Sequence, residues 1–224
     1  MKLIARMMAY LSFLVMFQYA NAASNNIYMD QIGDGTTISI TQTGSGNQVG
    51  SSSIRSTFNG NNNNITVQQI GNSNVTNVKV NGDGATVTSS ITGNSNNSDI
   101  TCDSCTGATI NKSITGSGNS VSIQNDGMAN TNVTVNSDNN TVTMTNNSSA
   151  TAGVTNTIDI SGGNGNQVTI DQTGAASATG HAVDLTIVGA MNTTTIGQGG
   201  TVDSKVNATI TGSSNTLNIK SNHN

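Results

Sequence analysis

Hydrophobic and polar residues alternate along this chain in short segments that recur about every 11 residues. The clearest segment starts at Gly163 and reads Gly-Asn-Gly-Asn-Gln-Val-Thr-Ile-Asp-Gln-Thr-Gly. Counted from this glycine, asparagine stands at position +3, apolar residues at +5 and +7, glutamine at +9 and the next glycine at +11. A fixed period of this kind predicts that each copy is one small structural unit.

The same unit recurs through most of the sequence. An apolar pair at +5 and +7 is the period of a strand with one buried face, and glycine with asparagine between the pairs is typical of a tight turn. The asparagines at +3 are Asn47, Asn63, Asn74, Asn96, Asn119, Asn130, Asn156, Asn166, Asn192 and Asn215. The apolar pairs include Ile38/Ile40, Ile65/Val67, Val121/Ile123, Ile158/Ile160, Leu185/Ile187 and Leu217/Ile219.

Such short strands must stack to bury their apolar faces, because one strand cannot bury its own. We therefore predict an all-β protein, a β-solenoid of stacked two-strand rungs built from half-repeats of about 11 residues. Successive rungs should lie ~4.8 Å apart. Amide side chains stacked at that spacing can hydrogen-bond to the copies above and below them, so the asparagine and glutamine positions are predicted to form ladders.

The N-terminal segment has the features of a secretory signal peptide. Lys2 and Arg6 precede an apolar stretch from Met7 to Tyr19, and Ala20-Asn21-Ala22 is a small-x-small cleavage site. We predict a signal peptide over residues 1–22, a repeat domain over residues 23–220 and a polar tail over residues 221–224. The mature chain is accordingly predicted to be exported.

Irregular spacing predicts three loops within the repeat domain. They are Ser51 to Arg55, Asp99 to Cys105 and Gly174 to Gly180. The pattern resumes after the second loop, since the segment from Gly84 to Gly93 matches the segment from Gly107 to Gly116 at an offset of 23 residues.

Composition favours a thin solenoid over a globular core. Tyr28 and Phe58 are the aromatic residues after the signal segment, and the chain has no tryptophan or proline. A globular core of this length usually needs large side chains, whereas a solenoid is filled by small and β-branched ones. Abundant asparagine, serine, threonine and glycine with little charge would also suit a disordered chain. The alternating isoleucine and valine pairs favour the solenoid.

Few residues suggest a catalytic or ligand-binding site. His181 and His223 lack a recognisable nucleophile or base partner, so we expect them at the surface and expect no enzymatic activity, metal site or cofactor. In an exported chain, Cys102 and Cys105 are expected to form a short disulfide. A formal net charge of −4 without a basic stripe argues against nucleic-acid binding.

Scattered charged residues have two interpretations. They are either solvated positions or gatekeepers that slow association between solenoid edges. The residues concerned include Asp83, Asp99, Lys112 and Lys205.

Three segments resemble the curlin repeat of the curli subunit family. They read Gln42-Thr-Gly-Ser-Gly-Asn47, Gln69-Ile-Gly-Asn-Ser-Asn74 and Gly165-Asn-Gln-Val-Thr-Ile-Asp-Gln-Thr-Gly174. The resemblance implies a secreted bacterial subunit that polymerises with copies of itself into functional amyloid fibres for adhesion and biofilm. It also implies a nucleator subunit and outer-membrane secretion machinery as partners. The assembly ladder that it implies contains Gln31, Gln42, Asn47, Gln69, Asn74, Asn166 and Gln172.

Elementary physics supports self-assembly and leaves two alternatives open. An open solenoid has unpaired backbone groups at both ends, and the sequence shows no capping helix or proline. One alternative is a monomeric or fibre-tip adhesin that contacts its target through the inserted loops. The other is an ice-binding solenoid, suggested by the threonine runs Thr86/Thr88, Thr141/Thr143/Thr145 and Thr193/Thr195.

Overall fold

The solenoid architecture predicted from the repeat is confirmed. A computed structural model describes residues 24–103, 109–125, 129–147, 154–173 and 181–223, and the predicted signal peptide lies outside these ranges. The described residues form parallel strands stacked into a β-solenoid. They contain no helix long and apolar enough to cross a membrane.

The strands form two sheets that face each other across the core. The first sheet contains β1 (Asn26–Ile27), β2 (Met29–Ile32), β4 (Gln48–Val49), β5 (Ser56–Asn59), β7 (Val75–Asn81), β9 (Asn97–Asp103), β11 (Ser120–Asn125), β13 (Thr141–Asn147), β15 (Gln167–Thr173), β17 (Thr193–Gly200) and β19 (Thr216–His223). The second sheet contains β3 (Thr37–Thr43), β6 (Asn64–Ile70), β8 (Thr86–Thr92), β10 (Thr109–Thr115), β12 (Ala129–Asn136), β14 (Val154–Ser161), β16 (Ala182–Val188) and β18 (Lys205–Thr211).

Consecutive segments of the chain alternate between the two sheets, so each strand pairs in parallel with a strand one full turn away. We call each height in a sheet a level. β1 and β2 share one level, and β4 and β5 share the next one. The described part of the first sheet therefore has nine levels, and that of the second sheet has eight.

A thin apolar core fills the space between the sheets. Side chains alternate strictly between core and solvent, as in β15, where Val168, Ile170 and Gln172 are buried and their neighbours are exposed. In-register pairing places each inward residue directly on its counterpart one level away, for example Ile100 on Ile123. Small and β-branched residues suffice because each level needs only about three inward side chains per strand.

Tight turns at the corners depend on glycine. Gly71 has a φ of 117°, and a Cβ atom there would overlap the backbone carbonyl of Gly93 one level away. Two residues after the glycine, the chain adopts the left-handed conformation, which asparagine and serine tolerate. Asn139 takes this conformation, with a φ of 56°, in the turn between β12 and β13 that has no glycine.

The predicted loops have different outcomes. The loop at Ser51 to Arg55 is confirmed, because these residues separate β4 from β5. The loop predicted at Asp99 to Cys105 is wrong up to Asp103, since Ile100 and Cys102 are buried in the core and hold this segment in β9. Residues 104–108 and 174–180 lie outside the described residues.

The pairing of neighbouring strands bears on two further expectations, the 23-residue offset and the end of the repeat domain. The 23-residue offset is confirmed, because Thr86 of β8 pairs in register with Thr109 of β10. β19 continues to His223, beyond the predicted end of the repeat domain, because Gly199 and Gly200 of β17 extend the ladder to Asn222 and His223.

We expect Gly71→Ala to lower the free energy of unfolding by about 2–4 kcal/mol, because the added methyl group overlaps a backbone carbonyl and the φ is unfavourable. Gly84→Asn is the matched control. Gly84 has a φ of 70° with open space around its Cβ position, so we expect a change within about 0.5 kcal/mol. Chemical denaturation followed by circular dichroism measures both values. Equal effects of the two substitutions would contradict the stacking requirement.

Candidate assembly site

A column of asparagines runs along one corner of the solenoid, and its members are buried at every level except the two ends. Each backbone N–H donates to the Oδ1 atom of the asparagine one level earlier, at 2.9–3.1 Å. From Asn74 onward, Nδ2 donates to the same oxygen at 3.0–3.1 Å. The column consists of Asn25, Asn47, Asn74, Asn96, Asn119, Asn140, Asn166, Asn192 and Asn215.

Most amides in this column also close the neighbouring turn. The Nδ2 atom of Asn96 donates to Asn74 Oδ1 at 3.0 Å and to the carbonyl of Gly116 at 2.8 Å, and its Oδ1 atom accepts from Asn119. Asn96 is almost completely buried. A buried polar group costs free energy unless its hydrogen bonds are made, so the column supplies partners for corner groups that the sheets leave unpaired.

The asparagine column differs in part from the one suggested by the repeat. Asn63 lies at the opposite corner, where its Oδ1 atom accepts the N–H of Ala85. Asn130 is exposed, and Asn156 points into the core. Asn140 belongs to the column although no glycine precedes it at the usual distance. Its position became clear only from the strand register.

The predicted glutamine positions do not form one ladder: two separate glutamine pairs occur, and Gln31 belongs to neither. Gln42 donates to Gln69 Oε1 at 2.8 Å in the second sheet, and Gln172 donates to Gln198 Oε1 at 2.7 Å in the first sheet. Gln69 stacks on Ile91 at the next level, so that ladder ends there. Gln31 pairs in register with Phe58 and donates to the carbonyl of Gly33 in its own turn.

Lys112 is fully buried, contrary to its interpretation as a solvated or gatekeeper residue. It is 1% exposed in the centre of β10, between Ser89 and Val133, because Ile110 and Ile114 on either side fix it on the inward face. Within the described residues its Nζ atom has no hydrogen-bond partner. Burial lowers the pKa of Lys112 to about 7, and the negative charge of Asp99 partly opposes that shift.

Other predicted residues occupy structural positions. His181 was expected at the surface, but it is buried and its Nδ1 atom lies 2.9 Å from Ser204 Oγ. The side chain of His223 is not among those described. Cys102 is buried in β9, while Cys105 lies outside the described residues, so their disulfide stays a prediction. Partial burial raises the pKa of Asp99, whereas Asp83 accepts the N–H of Asn61 in an exposed turn.

The two ends of the solenoid leave the apolar core incomplete. Almost all core side chains of the inner levels are covered by a level on each side. In contrast, the partly buried apolar side chains that pack against the core of the described residues all lie in β1, β2, β18 and β19. They are Ile27, Met29, Ala208, Leu217 and Ile219. The ends therefore combine uncovered apolar side chains with unpaired strand edges.

Comparison with known proteins identifies no relative. No protein-family model, curated protein or solved structure matches this chain.

We expect Asn96→Ala to lower the free energy of unfolding by about 3 kcal/mol, because it leaves the Asn119 N–H and the Gly116 carbonyl without their partner in a buried corner. Asn111→Ala is the control, since Asn111 is an exposed residue of β10. We expect that control to change stability by less than about 0.5 kcal/mol. A similar small change in both variants, measured by chemical denaturation, would show that the column contributes little.

We expect the stability of the wild-type protein to rise between pH 7 and pH 10. The lowered pKa of Lys112 means that the unfolded chain binds more protons than the folded chain across this range, so deprotonation relieves the cost of burial. Lys112→Met should abolish this dependence and raise the free energy of unfolding at pH 6 by about 2–5 kcal/mol. Lys79→Met, at an exposed position of β7, should preserve the dependence. Thermal melts at several pH values test this, and a pH-independent wild type would contradict it.

Proposed function

We propose that this chain is a secreted structural subunit that assembles end to end into extracellular fibres of the curli type, serving adhesion and biofilm. The β-solenoid fold is consistent with a repetitive extracellular structural or adhesin-like protein. The main observation in favour of end-to-end assembly is that the core is partly uncovered and the sheet edges are open at both ends of the solenoid.

Open parallel edges favour addition of another copy. β19 at one end and β3 at the other present backbone groups that would pair in the interior of a sheet. Natural proteins normally cover or charge such edges, because they template strand addition. β19 forms the uncovered level of the first sheet at this end. Its Leu217 and Ile219 face inward and its Lys220 faces outward, so Lys220 does not block the apolar surface that another copy would cover.

The asparagine column gives the solenoid a direction, so its two ends are different. Every step in the column runs in one direction, with the later residue donating to the Oδ1 atom of the earlier one. The Asn25 end therefore presents N–H groups, and the Asn215 end presents a carbonyl oxygen. Unlike ends favour a head-to-tail contact, which repeats without closing and produces a filament.

The sides of the solenoid are less suited to association. Outward positions are mostly threonine, serine, asparagine and other polar residues, and the large apolar residues that are exposed occur singly. Scattered exposed apolar residues are normal on protein surfaces. Growth along the solenoid axis is therefore favoured over lateral aggregation.

A fibre-tip adhesin is a second candidate, and the ordered loop between β4 and β5 favours it. Arg55 Nε lies 2.8 Å from Asp30 Oδ2 and its Nη2 donates to the carbonyl of Met29, which fixes the base of the loop. Ile54 is 54% exposed in that loop and offers an apolar contact.

The ice-binding alternative loses its geometric basis. Thr143, Thr169 and Thr195 stack in register on the first sheet, but Ser122 and Asn218 occupy the levels on either side. Thr86 and Thr88 belong to β8 in the second sheet. The threonine runs therefore do not form one continuous array.

We expect the mature chain from Ala23 to form filaments with a ~4.8 Å meridional reflection, the strand-stacking distance. Leu217→Lys with Ile219→Lys should abolish filaments while preserving the β-type circular dichroism, because the next copy would bury both charges in the apolar core at the junction. Thr216→Lys with Asn218→Lys is the control, as it adds the same charge to the outward face of the same strand. Electron microscopy and fibre diffraction measure the result. A persistent, folded wild-type monomer would contradict the proposal and favour the adhesin.

A further inference from the structure

The two sheets of the solenoid end at different heights. In the described residues the first sheet starts at β1–β2, ends at β19 and has nine levels, whereas the second starts at β3, ends at β18 and has eight. The described part of the chain therefore contains an odd number of half-coils, counted over both sheets. The first half-coil, at the N-terminal end, belongs to the first sheet. The last half-coil, at the C-terminal end, belongs to the same sheet.

This imbalance prevents a simple stack of copies in the same orientation. If β1–β2 of one copy pairs with β19 of the previous copy, β3 lies two levels above β18. One strand is then missing, and β3 and β18 are separated by about 9.6 Å, twice the strand spacing. Both facing edges would stay unpaired, and Ile38, Ile40, Val206 and Ile210 would border a gap in the core.

We propose that successive copies are instead rotated by a half-turn about the solenoid axis. β1–β2 of each new copy then continues the second sheet by pairing with β18, and β3 continues the first sheet by pairing with β19. A half-turn about this axis exchanges the two sheets and also their strand directions, so both contacts stay parallel. Both sheets can accept either strand because both are built from the same half-repeat.

Side chains at the proposed contact are compatible. Aligned by the repeat, Ile27 lies on Val206, and the long side chain of Met29 lies on the small Ala208. On the other sheet, Ile38 lies on Leu217 and Ile40 on Ile219. These are the apolar residues that the separate chain leaves partly uncovered, together with their counterparts at the opposite end.

Charges also allow the half-turn arrangement. Asp30 in β2 lies opposite Thr209 of β18, and Lys220 in β19 lies opposite Thr41 of β3. No like charges face each other directly on these strands, which would be destabilising. The same-orientation stack would place Asp30 opposite Lys220, a favourable exposed pair worth at most about 1 kcal/mol. That gain is small compared with a missing strand.

The inference rests on the proposed end-to-end assembly and specifies its geometry. Each copy should advance the filament by about 41 Å, because the nine levels of the first sheet and the eight of the second each add half of the ~4.8 Å strand spacing. The first sheet of one copy continues as the second sheet of the next, so both faces of the filament alternate between the two surfaces. A ligand or receptor specific for one face would bind on alternating sides.

Disulfide trapping in assembled filaments of the mature chain distinguishes the two stacks. The first variant combines Thr41→Cys with Lys220→Cys, and the second combines Asp30→Cys with Lys220→Cys. In-register parallel neighbours lie ~4.8 Å apart, within the Cα range of a disulfide, whereas residues on opposite sheets are at least ~10 Å apart. Single variants at positions 30, 41 and 220 control for the native cysteines and for contacts between like ends. Ser39→Cys with Asn218→Cys tests β3 against β19 a second time.

The half-turn predicts that oxidation links chains in the 41/220 and 39/218 variants at least tenfold more than in the 30/220 variant. Filaments with efficient 30/220 links, or with equal yields in all pairs, would overturn the half-turn and leave end-to-end assembly intact. Links in the single variant at position 220 would indicate contacts between like ends and would also overturn it. Absence of filaments from the wild type would refute the proposed function itself.

Discussion

Satisfaction of buried backbone groups at the corners is the constraint on which this solenoid depends. A flattened coil must turn sharply twice in each rung, and the turn brings carbonyl and N–H groups to positions that the sheets do not pair. The asparagine column provides such partners. At Asn96, for example, the amide accepts from the later level and donates both to the earlier asparagine and to a turn carbonyl. The glycine that starts most of the turns is required by the same geometry, because at positions such as Gly71 the next carbonyl occupies the place of its Cβ atom.

Compared with the corners, the core tolerates wide variation. The third inward position of successive strands in the first sheet holds Val80, Cys102 and later Gln172. The centre of the second sheet even contains Lys112, whose burial lowers its pKa. Each level contacts only its two neighbours, so an unfavourable residue has a local cost that the rest of the stack can offset.

At the two ends of the solenoid, the outermost strands have a neighbouring strand on one side only. Inner levels cover one another, while β1, β2, β18 and β19 keep partly uncovered apolar side chains. Because every level has the same geometry, the surface best fitted to cover an end is the opposite end of another copy. The different numbers of levels in the two sheets then decide how that copy must be oriented. The proposed fibre and the proposed half-turn packing both rest on one rule, that each strand needs a neighbour on both sides.

Sequence alone determined the fold class, because the +5 and +7 apolar pairs and the recurring glycine specify a short one-sided strand and a turn, and such strands must stack. It also located Asn47, Asn74 and Asn166 in the repeat. Only the tertiary structure decided which residues share a column, because loops of different length change the register without changing the local pattern. For that reason Asn140 joined the column, Asn130 and Asn156 did not, and the glutamines separated between two sheets. The burial of Lys112 and the unequal ends of the sheets likewise depend on which strand lies beside which, and no single half-repeat contains that information.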